Sequence, residues 1–151
     1  MNMLSNMLEY LELTVKRVPD RVAFYDDQES MTFAELEDKA GRIGTALALS
    51  VLPCSPVALL MDSRSINNIP AMYGVLCAGG AYAPLDISMP PKRLAQLLGL
   101  LEPKMILADE KGEKALEALG QVEIPVLSYD NAVRTETDHE LLKQIRKSTS
   151  V

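Results

Sequence analysis

Three times in this chain a short apolar run ends on an aspartate. Val57-Ala58-Leu59-Leu60-Met61 leads into Asp62, Ala81-Tyr82-Ala83-Pro84-Leu85 into Asp86, and Met105-Ile106-Leu107-Ala108 into Asp109. A run with no polar alternation has no face to offer water, so each predicts a strand covered on both sides. Between the first two, Ile66, Ile69, Met72, Tyr73 and Leu76 recur at helical spacing, with Ser63 or Ser65 as the expected cap and Pro70 in a loose first turn. Between the second and third, a helix is expected over Pro91–Leu101, opened by its proline and closed near Pro103. Strand–helix–strand alternation of this kind builds right-handed βαβ units on a parallel sheet. The fold class is therefore α/β.

The junction of the first helix with the second strand is the sharpest local signal. Gly79 and Gly80 follow the last helical residue, where a backbone at positive φ ends a helix and only glycine adopts it without steric cost. In the strand that follows, Pro84 has no N–H to give a neighbour, which predicts a sheet edge.

Upstream, Met7, Leu8, Leu11 and Val15 alternate with Glu9, Glu12, Lys16 and Arg17, an amphipathic helix expected over residues 6–18 and ended by Pro19. Residues 21–25 and 30–33 flank the polar turn Asp26-Asp27-Gln28-Glu29, and read as a β-hairpin. Thr32 is then an N-cap, with Glu35 three residues on to complete a capping box. The helix it opens runs to about residue 50 and packs Phe33, Leu36, Ala40, Ile43, Leu47 and Ala48. Gly41 and Gly44 inside it each cost about 1 kcal/mol against alanine, so close approach of another backbone is expected there. After Asp109, a short helix over 113–119 ending at Gly120 and a strand over 124–129 are expected. Residues 131–151 form a polar tail with a marginal helix over 140–146.

At 151 residues and 48% hydrophobic content, the chain suits one domain that buries roughly 70% of its unfolded surface. A net charge of −6 with scattered Lys and Arg argues against nucleic acid or an anionic membrane as partner. No apolar run reaches the roughly 20 residues of a membrane span, and the first residues do not resemble a signal peptide. Cys54 and Cys77 lack metal-ligand spacing and read as reduced, packed thiols of a cytoplasmic protein.

Several constellations admit a chemical and a structural reading. Asp62, Asp86 and Asp109 meet at the carboxyl edge of one sheet, where α/β proteins bind ligands. There they form either an acidic Mg²⁺ or phosphoryl-acceptor site, as in a flavodoxin-like module, or a set of helix caps and turn acceptors. The caps are favoured, because Ser128-Tyr129-Asp130 offers no lysine after the last strand. His139 has no second histidine or cysteine near it and reads as solvated rather than metal-binding. Gly79-Gly80 closes a helix instead of opening one, so it lacks the dipole and free N–H groups that hold phosphate. Cys77 has no partner base in the local sequence, and Ser63-Arg64-Ser65 reads as a cap before an anion site.

Residues 76–86, Leu76-Cys77-Ala78-Gly79-Gly80-Ala81-Tyr82-Ala83-Pro84-Leu85-Asp86, resemble the L-K-A-G-x-A-Y-x-P-L/I-D motif of AMP-forming adenylating enzymes. The style is that of the amino-acid adenylation domains of nonribosomal peptide synthetases and of D-alanine–carrier-protein ligases. Met31-Thr32-Phe33-Ala34-Glu35-Leu36 resembles the family's earlier L-T/S-Y-x-E-L, and Pro91-Lys92-Arg93-Leu94 the later P-x-E-R-L/I. Cys77 stands where lysine is common and Lys92 where glutamate is common.

The resemblance implies a β-hairpin plus parallel βαβ units, the N-terminal part of the family's large domain, over residues 1–151. It also implies a parent enzyme that uses ATP and Mg²⁺ to form an acyl-adenylate and passes the acyl group to a carrier-protein thiol. The phosphate loop, Y-T-S-G-S/T-T-G-x-P-K-G, and the later nucleotide and catalytic motifs do not occur here, and residues 131–151 lead toward where that loop would begin. No catalytic, cofactor-binding or metal-binding residue carries over. Thr32, Glu35, Leu36, Gly79, Gly80, Tyr82, Pro84 and Asp86 carry over as structural positions. Three expectations follow: a scaffold segment inactive alone, a short protein complementing a separate chain, or a stand-alone flavodoxin-like binding module. Partners are then the rest of the adenylation domain and a carrier protein. Self-association is expected through apolar faces left open at residues 57–61 or 105–108.

Overall fold

A computed structural model describes residues 7–50 and 54–149. Helix α1 (Met7–Arg17) leads into the hairpin β1 (Val22–Tyr25) and β2 (Ser30–Thr32), and α2 (Phe33–Ala48) follows. Then come β3 (Pro56–Leu60), α3 (Asn68–Cys77), β4 (Ala81–Leu85), α4 (Pro91–Leu101), β5 (Met105–Ala108), α5 (Glu110–Glu117), β6 (Val126–Ser128), α6 (Tyr129–Arg134) and α7 (His139–Thr149). The hairpin is antiparallel. The other four strands form a parallel sheet in the order β4-β3-β5-β6.

Alternation along the central strands sorts the core into two layers. Val57 and Leu59 of β3, with Met105 and Leu107 of β5, pack against Ile43 and Leu47 of α2, Ala71 and Val75 of α3, and Tyr129 and Ala132 of α6. Ala58, Leu60, Ile106 and Ala108 face the other way, onto Leu94 and Leu98 of α4 and Leu116 of α5. Each fully buried leucine of these layers contributes about 1.5–3 kcal/mol relative to leaving it in water. A smaller cluster, Leu11, Met31, Leu36 and Ile66, joins α1 and the hairpin to this body.

The expected turns are made by the residues that predicted them. The Asp26 carboxylate accepts the N–H groups of Gln28 and Glu29, each at 2.8 Å, which closes the hairpin loop. Thr32 caps α2, its hydroxyl oxygen accepting the Glu35 N–H at 3.2 Å and standing 3.1 Å from the Glu35 carboxylate. Helix α3 ends in paired bonds, Gly80 N–H to the Val75 carbonyl and Gly79 N–H to the Leu76 carbonyl, both 3.0 Å. Gly79 is left-handed at φ 78°, and Gly80 is not. Six residues N-terminal to Gly80, Gly74 meets α2 so closely that a Cβ would lie 2.7 Å from that of Ile43. On the facing helix, a Cβ at Gly44 would lie 2.6 Å from that of Cys77. The expected close approach at Gly44 is therefore the α2–α3 seam, while Gly41 faces the Thr137 side chain instead of a backbone.

Several expectations are corrected. Strand β4 is an edge, as Pro84 requires, but it is not covered on both sides, since Ala81 and Pro84 are exposed. Helix α3 starts at Asn68, with Asn67 as its N-cap position and no side-chain cap. Ser65 serves the preceding turn, accepting the Asn67 N–H at 3.1 Å. Cys54 is exposed, not packed. Residues 57–61 and 105–108 leave no apolar face open, because both strands are central and buried. The polar tail holds two helices, α6 and α7; residues 150 and 151, like Asn6 at the expected start of α1, lie outside the described residues.

Candidate functional site

In a parallel α/β sheet the place for a ligand is the carboxyl end, at the point where connections diverge to opposite faces. From β3 the chain reaches β4 through α3 on one face, then crosses to β5 through α4 on the other. The divergence lies between β3 and β5, at Asp62 and Asp109.

That crevice is filled by the chain itself. The Asp109 carboxylate accepts the N–H of Gly112 at 2.8 Å, as N-cap of α5, and the N–H of Asp62 at 2.8 Å. The Asp62 carboxylate accepts the Lys111 ammonium at 2.6 Å and the Arg64 N–H at 3.1 Å. The Lys111 hydrogen bond, then the Arg64 amide, holds the Asp62 carboxyl below its ordinary value. Asp86 turns to its own loop, accepting the Ser88 hydroxyl at 2.6 Å and the Ser88 N–H at 2.9 Å; both hold its carboxyl low, the hydroxyl more. At Gly112 a Cβ would collide with the Leu60 carbonyl oxygen, so α5 sits directly on the end of β3.

A lysine ammonium thus occupies the place a divalent cation would take, and amide donors take up much of the carboxylates' lone-pair capacity. Among the described residues no cluster of three or more His, Cys, Asp or Glu side chains could hold a metal. The capping reading of the three aspartates is the one the geometry carries, and these residues do not fit an ATP–Mg²⁺ site. Lys111 was the partner the sequence did not reveal: it comes two residues after Asp109 but reaches the aspartate of a different strand.

The remaining structural positions serve the same end. Leu36 fills the cluster under α1, and Tyr82 packs at the rim of the larger core layer. Among the described residues, Gly79 and Gly80 bond within the α3 exit and to the segment before β3, Gly79 accepting the Cys54 N–H at 2.7 Å, so both of their N–H groups are spent on closing α3.

A second concavity lies elsewhere. Helices α1, α2 and α7 surround a cavity of about 550 Å³ with Leu11, Ala40, Cys77 and Leu142 as apolar lining and Glu12, Glu37, His139 and Arg146 among its charges. Arg146 pairs with Glu12 and lies 3.9 Å from Glu9. Burial, then the negative charge of Glu12, raises the Glu37 carboxyl. Burial likewise pushes the Cys77 thiol up to about 12, which disfavours the reactive thiolate while the site is covered. His139 is exposed at the start of α7. Deeper in the core, the Tyr129 hydroxyl is buried with no hydrogen-bond partner among the described residues, and burial raises it as well. No helix among the described residues is long and apolar enough to cross a membrane.

Comparison with known proteins places this architecture. Residues 11–149 match the family described as AMP-binding enzyme. Gramicidin S synthase 2 of Brevibacillus brevis is 33% identical over 115 residues, 76% of this chain and 3% of that protein. The AMPPNP-bound nonribosomal peptide synthetase FmoA3 superposes with a TM-score of 0.75 at 30% identity, over 85% of this chain and 14% of that one. The four-domain nonribosomal peptide synthetase holo-AB3403, bound to AMP and glycine, gives a TM-score of 0.77 at 25% identity, over 95% and 10%. The chain spans only a small part of each relative. With its hairpin, its glycine-closed α3 and its parallel sheet, the chain belongs to the AMP-binding enzyme family.

Proposed function

We propose that this chain is the N-terminal scaffold segment of an ATP-dependent ligase that activates an amino acid as its acyl-adenylate and hands it to a carrier-protein thiol. On its own it does not catalyse. The observation that carries this reading is the filled crevice: Asp62, Asp109, Lys111 and Gly112 close the one place where a parallel sheet of this order would hold a ligand. Thr32 and Glu35 cap α2, Leu36 packs under α1, Gly79 and Gly80 close α3, and Asp86 closes its own turn, which supports a structural role for these motif positions. ATP and Mg²⁺ are then cofactors of the whole enzyme, bound by residues outside this sequence. Its partners are the rest of the adenylation domain and a carrier protein, not nucleic acid or membrane, and its compartment is the cytoplasm. The flavodoxin-like alternative finds no support at the sheet edge.

The test is amino-acid-dependent ATP–pyrophosphate exchange, measured on the chain alone and on the chain carried in frame with its downstream coding sequence. The extended protein exchanges and the chain alone does not. Exchange by the 151-residue chain, or a melting point raised several degrees by magnesium-ATP, overturns the proposal. An inactive extended protein that carries the phosphate loop overturns it equally.

A further inference from the structure

Helix α7 is held differently from the helices of the larger core layer. Helix α2 buries Leu36, Ala40, Ile43 and Leu47, and α3 buries Pro70, Ala71 and Val75, but none of the described side chains of α7 is buried. It nevertheless lies across the α2–α3 seam, with a Leu142 methyl 3.5 Å from the Cβ position of Gly44, itself against Cys77. Among the described residues, two polar ties join it to the other helices. At its start the Asp138 N–H donates to the Thr45 hydroxyl at 3.0 Å, and near its end Arg146 meets Glu12 and Glu9 of α1. Between the ties Leu142 touches the seam, and beside that contact lies the 550 Å³ cavity.

We infer that α7 is a detachable strap over the α2–α3 seam, lifted by loosening the Arg146 ties while the sheet and its two core layers stay folded. The ties are only partly covered: the Arg146 side chain keeps 25% of its exposure, that of Glu9 31% and that of Glu12 49%. Ion pairs of that exposure are weak and yield to salt, since the screening length falls to about 3 Å near 1 M. Lifting the strap uncovers the half-buried Leu142 and the floor of the cavity at Leu11, Ala40 and Cys77, whereas separating α2 from α3 would expose the main core. Lys16 of α1, Glu37 and Asp38 of α2, and Lys143 of α7 share the cavity, so the local charge is mixed and no single titration governs the motion.

The chain carries its own reporter. Cys77 lines the cavity beneath the strap, and Cys54 is exposed in the loop before β3. Alkylation of the full chain by iodoacetamide at pH 8, read by mass spectrometry at each cysteine separately, measures strap opening at Cys77 against an internal standard at Cys54. At low salt Cys54 reacts fast and Cys77 slowly. Raising salt to about 1 M, or the change Arg146→Ala, speeds Cys77 about three- to tenfold and leaves Cys54 alone. Arg146→Lys restores most of the protection, and Lys143→Ala, the same charge change on the same helix, has little effect. Hydrogen exchange shows α7 amides opening ahead of those in β3 and β5. Overturning results are Cys77 reacting as fast as Cys54 at low salt, Cys77 unlocked only at denaturant concentrations that unfold the sheet, or equal effects of Lys143→Ala and Arg146→Ala.

Discussion

At the carboxyl edge of the sheet, α5 rests on β3 with no room for a side chain at Gly112, and the carboxylates there are tied to amides and to Lys111. On the α1–α7 side, helices stand around a 550 Å³ cavity and meet through ion pairs. The first region is specified by backbone proximity, which tolerates almost no change of volume; the second by charges at the surface, which tolerate much. In this chain the place that resembles a ligand crevice is the rigid one, and the concavity that is open is the loosely held one. One end of the molecule is closed by backbone contact, and the other is held by ion pairs around open space.

The comparison breaks first at its tight end. Gly112→Ala forces a methyl into the Leu60 carbonyl and displaces α5, at a cost of about 3 kcal/mol, the upper range for overpacking. A urea midpoint within error of the parent would mean that the edge yields easily and the contrast is false. Next, Gly79→Val places a β-branched residue at φ 78° and costs about 1–3 kcal/mol. The same change at Gly80, whose φ is not positive, costs less. Equal losses in the two variants would show that packing, not backbone conformation, sets the α3 exit.

Asp109→Ala removes the α5 cap and strands the Asp62 N–H, a loss of about 1–2 kcal/mol. A smaller loss than that of Thr32→Ala, which removes a hairpin-side cap, would place the Asp62 bond outside the stability of the edge.

The smallest effect is a difference of sign with pH. Asp62 is held below its ordinary value of 3.8, chiefly by Lys111. Its contribution is complete above that value and is lost as pH falls through the lower folded value. Glu37 is raised above 4.5, chiefly by burial, so the fold holds its proton more tightly than the unfolded chain does. Its ionisation therefore costs stability as pH climbs through that window. Glu37→Gln then stabilises slightly at pH 7 and not at all well below the ordinary value of 4.5, where the parent carboxyl is already protonated. A variant less stable than the parent at pH 7 would mean that the Glu37 charge holds the cavity together.

Much of this could be read from residues near one another in sequence. Strand β4 and helix α4 fall on the expected residues, because an apolar run between Gly80 and Asp86 and a helix between Pro91 and Pro103 leave no other register. The Thr32 box and the Gly79 exit are likewise local chemistry. Helix α5 starts three residues earlier than expected because Asp109, read as a strand end, is also its cap. Strand β6 is shorter because Ser128 caps α6, accepting the Asn131 N–H, and Tyr129 belongs to that helix. The cavity was not legible at all. It depends on Glu12 meeting Arg146 across the whole chain, and nothing in either segment's periodicity names the other.

The two outer edges of the sheet are not equivalent, and this fixes how copies of the chain would add to one another. At β4, Pro84 removes a donor from the outward row, while β6 is followed by no further strand among the described residues and leaves Val126 46% exposed. With one edge blunted, a second copy has only β6 to join, and it must bring its own β6. Such a union is self-complementary about a twofold axis and uses up the edge on both sides, so growth stops at the pair. If copies pair, light scattering over a concentration series climbs to twice the chain mass and levels there, where a sheet with two equal edges would go on to filaments.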